Sequence, residues 1–106
     1  MDQFPEHINR HSCTTLIRDV ENNLMRETIM NFTNNIEKSI MHIDYEIELK
    51  FPDKLPSKHR MKIANMLLEK FGKLKIKDVN GDFTSSKVTD NKDDINRNID
   101  TIFIEL

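Results

Sequence analysis

His7, His11 and Cys13 fall within the seven residues of HINRHSC, and imidazole and thiolate are the ligand types from which zinc sites are built. Histidines four apart would share one side of a helical turn. Their spacing matches no established zinc pattern, however, and no second Cys or His pair follows downstream to complete a four-coordinate site. The stretch reads as a polar arm, and no metal is expected there.

In DVNGDFTSSKVTD, Asp78, Asn80 and Asp82 alternate as the first ligands of a calcium loop do. The glycine, Gly81, falls two positions too early for such a loop, and Thr89 stands where a bidentate Glu belongs. A hairpin turn accounts for the same letters, with Asn80-Gly81 as a pair that tolerates positive φ at both positions. Glu46 and Glu48 share one side of a strand, but nothing in the sequence sets their proton affinities apart for acid and base roles. His42 and His59 have no Ser or Cys companion in a recognisable motif, and the two glycines, Gly72 and Gly81, are needed for a cap and a turn. The expectation is a non-enzymatic protein with no cofactor and no small-molecule substrate.

Charge is the other candidate. The chain has a net charge of -2, yet residues 54 to 77 hold eight Lys or Arg against the single acid Glu69. Lys58, Lys62, Lys70, Lys73, Lys75 and Lys77 could follow a phosphate backbone, which makes nucleic-acid binding the alternative function. Two observations weigh against it. Lys73, Lys75 and Lys77 would pair across the sheet with Glu46 and Glu48 if their strands are neighbours. The aromatic that base stacking requires is represented in the segment by Phe71 alone, which a core would claim.

The elements that must carry these residues follow from periodicity. One domain is expected from 106 residues, and 37% hydrophobic against 32% charged is polar for a globular protein but well short of a disordered one. Residues 1 to 13 form a flexible arm and 14 to 106 a single domain. From Thr14 to His42 apolar residues recur at steps of three and four, which predicts one amphipathic helix. DYEIELKF alternates without error as a half-buried strand with Tyr45, Ile47, Leu49 and Phe51 inward, and Pro52 ends it. Ser57 is the expected cap of a second helix with Met61, Ala64, Leu67, Leu68 and Phe71 on its apolar stripe and Gly72 at its stop. KLKIKDV and DFTSSKVT make a hairpin, residues 90 to 98 a loop or short helical turn, and TIFIEL a last strand. The order αβαβββ gives an α+β two-layer sandwich, with a βαβ unit whose two strands are parallel within one small mixed sheet.

The first helix is the most informative feature. Close to 30 residues of helix would be roughly 45 Å long, against a radius of gyration near 13 Å for a domain of this size. Either it bends near Asn22-Asn23 or Asn34-Asn35, or its overhang packs on another molecule. The second option predicts protein-protein binding, with a homodimer as the commonest form, through Ile29, Met30, Phe32, Ile36 and Ile40. No apolar run is long enough to span a bilayer, no signal-peptide pattern opens the chain, and Cys13 has no intramolecular partner, so a cytoplasmic protein is expected. The bias toward Ile, Lys and Asn, 13, 11 and 11 residues, is of the kind AT-rich coding produces and is compatible with a phage or mobile-element accessory protein.

Overall fold

The computed structural model describes residues 4–87 and 98–106. Its elements, in chain order, are α1 (Arg10–Met41), β1 (Glu46–Lys50), α2 (Ser57–Phe71), β2 (Lys73–Asp78), β3 (Phe83–Lys87) and β4 (Ile99–Glu105). The two helices lie on one face of a four-stranded sheet, giving the α+β arrangement expected from periodicity.

α1 is a single unbroken helix of 32 residues. It begins four residues earlier than its apolar stripe, because the Asn9 side chain accepts the Ser12 amide at 3.0 Å and caps the first turn. At its other end the Asp44 amide reaches the Ser39 carbonyl at 2.9 Å and the Ile43 amide reaches that of Ile40 at 3.1 Å. This is the double bond pattern of a helix stop with a left-handed residue, here Ile43 at φ 59°. At 1.5 Å per residue α1 is about 48 Å long. The molecule measures 62 × 31 × 24 Å with a radius of gyration of 17.1 Å, well above the roughly 13 Å of a compact chain of this length.

α2 starts one residue earlier than expected: Pro56 occupies the N-cap, with no side-chain cap bond, and Ser57 is already helical. Gly72 ends it at φ 78°, its amide bonded to the Leu68 carbonyl at 2.8 Å.

The sheet order is β1-β4-β2-β3, and every neighbouring pair is antiparallel. The expected mixed sheet is therefore corrected to an antiparallel one. β1 and β2 run in the same direction, but β4 lies between them and opposes both. The physical reason is in β4 itself: Ile99, Ile102 and Ile104 are all buried, and the most apolar strand takes a central place where neither edge is left unpaired. β3 contributes one buried residue, Ser86, and occupies an edge.

The β2–β3 connection also differs from the expected two-residue turn. Val79, Asn80 and Gly81 form a three-residue loop in which Gly81 alone has positive φ, at 92°. The Asp78 carboxylate explains the shape by accepting the amides of Asn80 at 2.8 Å and Asp82 at 3.0 Å. The stretch expected as a loop at 90 to 98 lies outside the described residues up to 97.

The core forms between the helices and the inner sheet face, where Ile47, Leu49, Leu74, Ile76, Ile102 and Ile104 meet Ile63, Ala64, Leu67 and Leu68 of α2. Phe32 of α1 closes it against Phe51, the ring centroids 5.1 Å apart.

Candidate functional site

The five contact residues expected on α1 separate by depth. Phe32 is 4% exposed, a core residue, and so is removed from the partner surface. Ile29 and Ile36 are half-buried and line an apolar cleft of about 400 Å3 between α1 and α2, with Ile63, Met66 and Phe71 on the far wall. Met30 and Ile40 are exposed. The expectation failed for Phe32 because the apolar stripe runs the whole length of the helix, whereas the body covers its C-terminal half.

The uncovered part of the stripe lies at the other end. Leu16, Ile17 and Val20 are 55%, 60% and 66% exposed, and every residue from Thr14 to Val20 is open to solvent. The overhang meets the body at Glu21, whose carboxylate contacts His59 Nε2 at 3.2 Å and Lys58 Nζ at 3.6 Å in the first turn of α2. The sequence reading missed this clasp, since nothing in a linear pattern sets Glu21 beside residues 37 and 38 positions away.

The six lysines of the nucleic-acid alternative are not brought together. Lys58, Lys62 and Lys70 are on α2, in the helical layer, and Lys58 is engaged by Glu21. Lys73, Lys75 and Lys77 alternate with the buried Leu74 and Ile76 and so project from the opposite, open face of the sheet. Arg60, also part of the basic count, is buried and donates to the backbone carbonyls of Leu55, Ile99, Pro52 and Asp53 at 2.7, 2.7, 2.9 and 3.0 Å. It holds the fold together and presents no charge to a ligand.

On the open face the expected neutralisation by Glu46 and Glu48 does not occur, because β4 separates them from β2. Glu48 stands opposite Phe103, and Phe103 in turn opposite Lys75. Lys73, Lys75 and Lys77 form no ion pair among the described residues. What they meet is aromatic: Lys75 Nζ lies 4.8 Å and Lys77 Nζ 6.0 Å from the centroid of Phe83, and Phe83 and Phe103 are 5.8 Å apart with planes 44° to one another. Phe83 and Phe103 escaped the sequence reading because aromatics were sought within residues 54 to 77. A signal was present in TIFIEL, where Phe103 between two core isoleucines has to face the other way.

His7, His11 and Cys13 form no ligand cluster among the described residues. His42 caps the C-terminus of α1. No described helix is long and apolar enough to cross a membrane. Comparison with protein-family models, with curated proteins and with solved structures returns no match.

Proposed function

We propose that this chain is a cytoplasmic, non-enzymatic interaction protein that pairs with a second copy of itself through the N-terminal overhang of α1. The observation that carries the reading is the run Leu16, Ile17, Val20, more than half exposed on a helix that continues rigidly into the body. An isolated helix shorter than about 12 to 15 residues is marginal in water, so an apolar overhang of this length gains most from a partner that buries it.

The overhang is complementary to itself. Reversed about the point midway between Arg18 and Asp19, two copies set Ile17 against Val20 and Arg10 against Glu27. Such pairing closes on itself as a two-fold dimer with no further growth. The contact is small by the standard of stable complexes, and a Kd on the order of micromolar follows.

The test is sedimentation equilibrium over a range of protein concentrations with the double variant Ile17→Asp and Val20→Asp. A concentration-dependent dimer that becomes a monomer in the variant, with the folded signal retained, supports the reading. A wild-type monomer at the highest concentration, or a dimer indifferent to these substitutions, removes it.

A further inference from the structure

We infer that the open face of the sheet binds single-stranded nucleic acid, with Phe83 and Phe103 stacking on bases and Lys75 and Lys77 taking the phosphates. The face lies on β1 to β4, away from the α1 overhang, so the inference stands whether or not the chain self-associates.

Phe83 carries the argument. It sits on the edge strand β3, is 52% exposed, and its ring meets Phe103, Lys75 and Lys77. Phe103 is the second ring, on the outward side of a central strand whose inward side supplies Ile102 and Ile104. Phe83 on β3 and Phe103 on β4 flank β2 and meet with their planes tilted by 44°. The result is a two-ring apolar surface with ammonium groups over one of its rings.

That combination selects its occupant. A base presents a π-face of similar size to a phenyl ring, and stacking tolerates any sequence because every base has one. The ammonium groups now lying over Phe83 are on flexible four-carbon stems. They can swing to the phosphates as a base takes their place on the ring. Duplex DNA hides its base faces, and a flat sheet offers no helix or ribbon to enter a groove, which leaves the single strand as the form that fits. Among the described residues Glu46 and Glu48 lie on the far edge strand β1, with β4 between them and β2, whereas Glu105 at the end of β4 stands beside Lys73 and leaves Lys75 and Lys77 as the cations nearest the rings.

The experiment is fluorescence anisotropy of the full chain with labelled oligo(dT) and oligo(U) of about a dozen nucleotides, a length within the site sizes such surfaces cover. The expected result is saturable binding by one or both oligomers, weakened by salt, with unlabelled duplex a poor competitor. Phe83→Ser, a half-exposed edge position, lowers affinity about ten-fold or more with thermal unfolding unchanged. Lys75→Gln lowers both affinity and the salt dependence, whereas Lys62→Gln on the opposite side of the molecule does neither. Phe83→Trp keeps binding and, in a chain with no other tryptophan, reports stacking by quenched emission. Absence of saturable binding at low salt, wild-type affinity in Phe83→Ser, equal binding of duplex, or sensitivity to Lys62 in place of Lys75 would each overturn the inference. Loss of self-association in Phe83→Ser with oligomer binding intact would assign the face to a protein and overturn it equally.

Discussion

Arg60 Nη1 donates to the carbonyl oxygen of Ile99 at 2.7 Å and so ties the first turn of α2 to the residue where β4 begins. The same guanidinium holds three carbonyls of the 52–55 turn and lies 5.8 Å from the centroid of Phe51. Charged donors make the stronger hydrogen bonds, and the planar fork of arginine supplies them in directions a lysine cannot. Replacing Arg60 by Met leaves buried carbonyls without donors, and a loss of about 3 kcal/mol or more is expected in urea unfolding. Arg60→Lys should recover little of it.

Phe32 and Met30 test which side of α1 the body uses. Phe32→Ala empties part of the core and should cost about 3 to 5 kcal/mol. Met30→Ala, at an exposed site, should change stability by less than about 0.5 kcal/mol. Equal effects in chemical denaturation would contradict the placement of Phe32 in the core.

Ile43 holds a left-handed conformation that a β-branched residue adopts at a penalty of roughly 1 to 2 kcal/mol. Its side chain is exposed, so its removal sacrifices little packing. Ile43→Gly should raise stability, by about 0.5 to 1 kcal/mol once the greater freedom of glycine in the unfolded chain is counted, and raise Tm by a few degrees. A lower Tm would show that the Ile43 side chain packs usefully.

Amide hydrogen exchange distinguishes the two halves of α1. Residues 12 to 20 should exchange rapidly in dilute protein and become protected as concentration rises, whereas amides around Thr28 and Phe32 should be protected throughout. Protection of the first half that is independent of concentration would count against pairing.

Much of this architecture was legible in the sequence, and the failures share a cause. Alternation in EIELK and KLKIKD assigned Ile47, Leu49, Leu74 and Ile76 to the core, and the structure buries all four. Gly72 marked its helix end. Tyr45 was expected inward on the same rule but is exposed, one residue before β1 begins. Alternation tells which face a residue takes and is silent on which strand lies beside it. The insertion of β4 was therefore invisible, and with it the separation of Glu46 and Glu48 from the lysines of β2. Arg60 is one of the eight basic residues of 54 to 77, yet it lies four residues before Ala64 and seven before Leu67, a helical spacing that points inward. The open-face rings came from two strands distant in sequence, and only the sheet order brought Phe83 to Phe103.

The central position of β4 has a consequence for biosynthesis. β1, α2 and the β2–β3 hairpin are all translated before Ile99, yet β1 has no partner strand, and β2 only half of its own, until residues 99 to 105 emerge from the ribosome. A nascent chain paused before that point would carry two naked strand borders and helices whose greasy sides face a sheet lacking its central strand. Such a chain is a natural client for a chaperone, and the sheet closes in a single late event once its middle rung arrives.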